Sequence, residues 1–170
     1  MTGRTHILGG VTAGFIYTTF FVPDDMLLFG GTVALSTIGG LMPDIDHPSS
    51  KAGKKAGIFS TVINKIFGHR GFLHTPLFIF LFFILLNYFL INKDLNYFTP
   101  LLYGYCVGYV SHLFLDLLTV SGILLFFPFS KKKISITKLK TGGIGEDVTR
   151  GLLVIILIML AINAGTIFIL

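Results

Sequence analysis

The sequence predicts an all-α integral membrane protein, a helical bundle of about five transmembrane helices with one re-entrant or interfacial segment. Of its 170 residues, 53% are hydrophobic and only 12% are charged, and the mean hydropathy is +0.83. Soluble domains carry about 25% charged residues, so an ordinary soluble fold is not expected. No repeat or linker divides the chain. Residues 1–170 are therefore interpreted as a single membrane-embedded domain.

Five apolar segments follow one another along the chain. A helix needs about 20 apolar residues to cross a bilayer, with a range of about 17 to 25, and the last two segments reach that length. The first three are slightly short and must extend into their flanks, which contain histidines. The segments cover residues 7–22, 27–42, 76–91, 98–118 and 151–170.

The distribution of basic residues predicts the orientation. All Lys and Arg residues except Lys93 lie before the first segment, between the second and third, or between the fourth and fifth. With five crossings these regions share one side, which the positive-inside rule makes cytoplasmic. We therefore expect a multi-pass protein of the plasma membrane, the inner membrane of a two-membrane cell, with a cytoplasmic N terminus and an external C terminus.

Residues 119–130 are apolar but interrupted by Gly122 and Pro128. A sixth crossing here would move the lysine-rich residues 131–140 to the outside, so this stretch is predicted to be re-entrant or interfacial. Local signals define shorter elements as well. Ile58–Phe67 is predicted to be an amphipathic interfacial helix, and Thr75 followed by Pro76 is typical of a helix N terminus.

All five histidines lie where an apolar segment meets a polar loop, together with three aspartates. Burial of unpaired charged groups in an apolar medium costs several kcal/mol unless a partner or a metal compensates them. On the predicted topology these residues meet at the cytoplasmic ends of the helices, which indicates a metal site. The candidate ligands are His6, Asp44, Asp46, His47, His69, His74, His112 and Asp116.

The ligand types predict the metal. Carboxylate oxygens mixed with imidazole nitrogens favour zinc, with manganese or iron as alternatives. Eight candidates exceed the three or four that one zinc takes, which indicates two or more ions or a set of outer partners. His112 and Asp116 are four residues apart and share a helix face. Considered individually, any one of the eight candidates is more typical of a residue that caps a helix end than of a metal ligand.

The order of these motifs resembles the YdjM-like family of membrane-bound, metal-dependent hydrolases. The resemblance rests on His6, LMPDIDHP at 41–48, HRGFLHTP at 69–76 and SHLFLDLLTVSGILLFFPF at 111–129. It implies metal ligation by the eight candidates named above. The family's Thr-Gly stretch followed by Glu is loosely matched by residues 141–143 and Glu146. The His-x-x-x-Asp pair alone is also similar to zinc-dependent phospholipase C.

A metal site at the helix ends, close to the membrane surface, predicts a hydrolase. The expected reaction is cleavage of a phosphoester of a lipid or lipid-linked substrate with metal-activated water. Glu146 is the candidate general base or an additional ligand, and Arg70 a bidentate donor to phosphate oxygens. Alternatively, Arg70 is a positive-inside anchor and Glu146 stabilises the start of the last helix.

Two other functions stay open, a metal-ion transporter and a structural metal-binding membrane protein. Transport favours ligands near the middle of the bilayer, whereas these lie at one face. No GxSxG motif occurs, and Cys106 lies inside an apolar segment, so serine or cysteine catalysis is not expected. The basic residues are scattered over loops, so no nucleic-acid partner is expected. No oligomeric state is predicted.

Overall fold

The computed structural model describes residues 1–22, 25–68 and 70–169, except for the side chains of residues 163–169. Within these ranges the chain forms helices and turns. It also has two isolated β-bridges, but these do not extend into a β-strand. The α-helices are α1 (Gly3–Phe21), α2 (Met26–Gly39), α3 (Lys51–Ala56), α4 (Ile58–Phe67), α5 (Pro76–Asn92), α6 (Thr99–Leu117) and α7 (Ile144–Ile169). Short 3-10 turns cover Pro43–Asp46, Phe72–His74 and Asn96–Phe98.

Helices α1, α2 and α6 pack against one another in all three pairs, with α7 on α1 and α5 on α6. Glycine allows the close approach of α2 and α6. A methyl group added at Gly108 would lie 1.8 Å from the carbonyl oxygen of Ser36, and one at Gly39 would lie 2.1 Å from that of Tyr105. Ser36 also donates a hydrogen bond of 2.7 Å to the carbonyl oxygen of Gly10 on α1. Small residues of this kind are typical of helix pairs in membranes.

The all-α bundle is confirmed, while its five crossings stay a prediction. Among the described residues, one helical run, Met26–Asp46, is both long and apolar enough to span a bilayer. Pro76–Asn92 and Ile58–Phe67 are apolar but shorter.

The local sequence signals are confirmed where the structure describes them. α4 covers Ile58–Phe67 as predicted and leaves apolar side chains such as Ile58 and Phe59 exposed. Thr75 caps α5 by accepting a hydrogen bond of 3.1 Å from the amide of Phe78, and Pro76 occupies the first turn.

The residues between α6 and α7 fold back onto the end of α6 and form no helix. Ile123 and Ile134 exchange two backbone hydrogen bonds, of 3.0 and 2.9 Å, and Leu139 donates one to Leu118. Ile123 packs into a small core with Tyr109 of α6. Because the segment 119–130 is not helical, it does not form a sixth helical crossing. This agrees with the sequence, which argued against such a crossing.

Candidate metal centre

Two imidazole nitrogens meet beside a carboxylate at the end of the bundle where α6 ends. Nε2 of His74 lies 3.3 Å from Nε2 of His112. Oδ2 of Asp116, one turn further along α6, lies 3.8 Å from the first nitrogen and 3.6 Å from the second. All three side chains have 0% exposure. Three potential ligand atoms therefore converge on one buried point.

The second nitrogen of each ring fixes its orientation. Nδ1 of His112 lies 2.8 Å from the carbonyl oxygen of Gly40, which can only accept a hydrogen bond. Nδ1 of His74 lies 3.0 Å from Oδ2 of Asp46. When both Nδ1 atoms donate, both Nε2 lone pairs face the convergent point. Such outer partners are typical of metal-binding histidines.

His6 and Asp44 complete the cluster. The ring of His6 stacks on His112 with centroids 3.6 Å apart, and its Nε2 lies 3.3 Å from Oδ1 of Asp116. Within the described part of the chain, Nδ1 of the fully buried His6 has no hydrogen-bond partner. Oδ1 of Asp44 lies 3.9 Å from Nε2 of both His74 and His112. The side chain of Asp44 is 17% exposed and faces the partly open side.

These distances fit a divalent cation. Ligands held about 2.0–2.1 Å from a tetrahedral zinc lie about 3.3 Å from one another. The converging atoms of His74, His112 and Asp116 lie 3.3–3.8 Å from one another, and Oδ1 of Asp44 lies 3.9 Å from the two imidazole nitrogens. The unpartnered nitrogen of His6 independently indicates a missing partner, since buried polar atoms are rarely left unpaired. The residues present can therefore hold a metal ion.

Burial favours the form of His74 that binds metal. His74 precedes α5, and burial lowers its pKa despite the opposing hydrogen bond to Asp46. A lowered pKa keeps the imidazole neutral near pH 7, and the neutral imidazole is the ligand form.

Arg70 lies at the edge of the cluster. Its Nη2 is 2.9 Å from Oδ2 of Asp116, and its Nη1 donates to the hydroxyl of Thr119 at 3.1 Å and the carbonyl oxygen of Gly122 at 3.3 Å. Its backbone has a φ of +56°, which is uncommon for a residue other than glycine. Its amide donates to Asp46 at 3.0 Å. The guanidinium is thus held between Asp116 and the segment after α6.

Glu146 fastens the start of α7 to the start of α1. Its Oε1 accepts hydrogen bonds of 2.6 Å from both the amide and the hydroxyl of Thr2, and another from the hydroxyl of Thr5. Its Oε2 accepts one of 2.7 Å from the amide of Gly142. Burial opposes ionisation of Glu146, but these donors outweigh it and lower the pKa to about 2. Because Thr5 precedes His6, this contact also positions a member of the cluster.

Comparison with known proteins identifies the family. The sequence model described as YdjM inner membrane protein matches residues 1–169. The chain belongs to the YdjM family. It is 35% identical to the uncharacterized protein YvsG of Bacillus subtilis (strain 168) over 147 residues, which cover 86% of each chain.

Two further relatives carry the family name. The chain is 41% identical to the inner membrane protein YdjM of Escherichia coli (strain K12) over 90 residues, and equally to that of Shigella flexneri. The match covers 52% of this chain and 44% of each relative. No solved structure matches the chain. Membership of the YdjM family confirms the resemblance read from the motifs and supports the expected inner-membrane location.

The structure of this YdjM-family protein brings together five of the eight residues expected to bind metal. The five are His6, Asp44, His74, His112 and Asp116. Asp46 lies behind His74, with Oδ2 on the nitrogen that faces away from the convergent point. His47 accepts a hydrogen bond of 3.2 Å from the amide of Ser49. His69 lies outside the described residues.

Sequence reasoning missed three residues that shape the centre of this YdjM-family protein. Gly40 supplies the carbonyl oxygen for His112, and Thr5 binds Glu146. Tyr109, fully buried on α6, donates its hydroxyl proton to the carbonyl oxygen of Leu73, next to His74. Tyr109 is three residues before His112, and this helical spacing was the available signal.

Replacement of Glu146 by glutamine is expected to destabilise the protein by about 1–3 kcal/mol. The NH2 group of glutamine would replace one of the two acceptor oxygens and would face N–H or O–H donors that it cannot accept from. Since folding lowers the pKa from 4.5 to about 2, the carboxylate stabilises the fold above about pH 4.5. This contribution is lost as the pH falls towards 2. Thermal unfolding in detergent at several pH values measures the effect.

The matched control is Asp147→Asn, which changes the neighbouring acid. Asp147 is exposed and pairs with Arg150 of the same helix, so at most about 1 kcal/mol should be lost. Equal melting temperatures for the two variants at neutral pH would contradict the fastening role of Glu146.

Proposed function

We propose that this YdjM-family protein is a metal-dependent hydrolase that cleaves a phosphoester of a lipid or lipid-linked substrate at the cytoplasmic face of the membrane. The observation that carries the proposal is the buried convergence of His74, His112 and Asp116. Two imidazoles and a carboxylate that converge among apolar helices form a donor set for a divalent cation, next to the ion pair of Asp116 with Arg70. Zinc suits this donor set, with manganese or iron as alternatives.

The proposed ligands form two overlapping groups. One contains His74, His112 and Asp116, and the other contains His6, Asp44 and His112. Since both groups use His112, the described residues support one ion with surplus ligands. The two or more ions expected from the sequence stay a prediction that includes His47 and His69.

When bound, a divalent cation supplies polarisation of a phosphoryl oxygen and activation of water for attack. Asp46 keeps Nε2 of His74 directed at the centre through its hydrogen bond to Nδ1. Asp44 is the candidate proton acceptor because its carboxylate is next to both imidazoles and is partly exposed. Glu146 suits a positioning role better than that of a base, since its oxygens are occupied by donors and its pKa is about 2.

The position of the candidate metal centre supports a lipid as the substrate. His6 lies near the start of α1, Asp44 follows α2, His74 precedes α5 and Asp116 is near the end of α6. These helix ends share one end of the bundle, which the basic loops make cytoplasmic in a multi-pass arrangement with an external C terminus. A phosphoester at headgroup depth reaches such a centre while its acyl chains stay in the bilayer.

The experiment is release of phosphate or headgroup from phospholipid vesicles by reconstituted protein. The metal-loaded protein should release product, and chelation or His112→Ala should abolish release. Asp94→Asn, which changes an acid in the loop between α5 and α6, is the matched control and should be fully active. Release that persists after complete chelation, or no release from any phospholipid class by metal-loaded protein, would contradict the proposal.

A structural metal site is the second candidate, because His6, His74, His112 and Asp116 all have 0% exposure. Structural zinc sites are closed, whereas catalytic sites keep an open position. In that case chelation would lower the melting temperature of a protein that hydrolyses nothing. Transport, the remaining alternative, would appear as metal uptake into proteoliposomes.

A further inference from the structure

A cavity of about 410 Å³ lies between the end of α4, the turn Phe72–His74 and the segment that follows α6. Its walls combine apolar side chains, including Ile66, Phe72 and Leu124, with basic ones. The basic residues are Arg70, Lys131 and Lys133, and none of the described residues that line the cavity is acidic. A pocket that is apolar and positively charged at once matches an anionic amphiphile.

Arg70 connects this cavity to the metal centre. The residue lines the cavity, yet its Nη2 lies 2.9 Å from Oδ2 of Asp116. Arg70 therefore adjoins both the cavity and the cluster of imidazoles and carboxylates. A ligand in the cavity would lie next to the candidate reaction centre.

The elements that line the cavity also carry exposed apolar side chains. Phe126 is 58% exposed and Phe129 is 96% exposed on the segment after α6, and Ile66 of α4 is 66% exposed. Large exposed apolar side chains beside lysines are typical of surfaces that lie in the membrane interface. This combination of exposed apolar and basic side chains is suited to contact with lipid headgroups and the start of their acyl chains.

We propose that this cavity binds an anionic phospholipid from the bilayer, with Lys131 and Lys133 on its phosphate and the apolar walls on the start of its acyl chains. The inference rests on the proposed function, since it names the substrate class of that same centre. A zwitterionic choline lipid is disfavoured because its ammonium group would add positive charge beside Lys131 and Lys133. Lys131 and Lys133 are thereby specificity-determining residues.

The test measures lipid selectivity by electron spin resonance. Full-length, metal-loaded protein is reconstituted in phosphatidylcholine bilayers with spin-labelled phosphatidylglycerol or spin-labelled phosphatidylcholine as the probe. Mass spectrometry of the recovered probe checks that it is intact. High ionic strength screens general attraction to basic loops. The protein should prefer the phosphatidylglycerol probe.

A double variant, Lys131→Gln with Lys133→Gln, should reduce that preference by about fivefold for each lysine removed. The matched control is Lys132→Gln with Lys140→Gln, which removes the same charge from residues that do not line the cavity. The control should retain the preference. Equal losses in the two double variants, or no preference in the unaltered protein, would overturn the inference.

Failure of this inference is distinguishable from failure of the proposed function. Lipid selectivity is measured without turnover, and vesicle hydrolysis is measured separately. Selectivity without hydrolysis would refute the hydrolase and keep the lipid site. Metal-dependent hydrolysis with no difference between the two double variants would refute the lipid site and keep the hydrolase.

Discussion

Replacement of His112 by alanine is expected to remove the divalent cation from the purified protein. His112 belongs to both groups of residues whose ligand atoms converge, so its loss leaves neither group complete. Loss of an outer partner of a metal ligand costs about 10–100-fold in affinity, and loss of a ligand itself should exceed that range. Metal content by mass spectrometry, after dialysis against a weak chelator, should fall to background.

Ser111→Ala is the matched control for this variant. Ser111 is the preceding residue of α6, and its hydroxyl donates a hydrogen bond of 2.7 Å within the helix, to the carbonyl oxygen of Gly108. This control should retain the full metal content. His112→Gln provides a second, larger side chain if alanine destabilises the bundle. Unchanged metal in a folded His112 variant would contradict the ligand assignment.

Replacement of Gly108 by alanine is expected to disrupt the bundle. The added methyl group would lie 1.8 Å from the carbonyl oxygen and 2.6 Å from the carbonyl carbon of Ser36. These are backbone atoms, which no rotamer change can move aside, so α2 and α6 would have to separate. Overpacking typically costs about 1–3 kcal/mol, and we expect the upper end of this range. Circular dichroism and size-exclusion chromatography in detergent measure the loss.

The same substitution should also impair the candidate metal centre. His112 is one turn after Gly108 on α6 and is oriented by the carbonyl oxygen of Gly40, just after α2. Separation of the two helices lengthens that hydrogen bond. Gly30→Ala on α2 is the control, because none of the described residues beyond its chain neighbours and the local backbone of α2 has an atom within 4 Å of the added methyl group, and alanine favours a helix. Similar melting temperatures for the two variants would contradict the close crossing.

Features set by neighbouring residues could be predicted from the sequence. The cap at Thr75 depends on the residues that follow it, and α4 depends on its own apolar period. The pairing of His112 with Asp116 at 3.6 Å follows from their spacing of four residues on α6. Each of these signals lies within about one or two helical turns, where chain geometry alone fixes which side chains meet.

Roles that depend on distant parts of the chain could not be predicted. Asp46 follows the same helix as Asp44, but only the folded turn at Phe72–His74 brings His74 onto its carboxylate. Glu146 is held by Thr2 and Thr5, more than a hundred residues away in sequence. Nothing local distinguishes a carboxylate that binds metal from one that orients a ligand, since the difference lies in which donors surround it.

The spacing of glycines in the sequence could have indicated the close packing of the helices, but the interpretation relied on hydropathy alone. Gly104 and Gly108 are four residues apart on α6, as are Gly10 and Gly14 on α1. Such pairs of small residues are typical of helix contacts in membranes. Hydropathy locates apolar segments but does not reveal which faces touch, so it indicated the helices without their arrangement.

X-ray absorption spectroscopy of the metal-loaded protein tests the central claim most directly. The account predicts a shell of nitrogen and oxygen neighbours that includes two or more imidazoles, from His74, His112 and His6. It predicts no sulfur, since Cys106 belongs to no group of converging ligand atoms among the described residues. A protein that retains no metal, or one whose metal has an all-oxygen or sulfur-containing shell, would contradict the account.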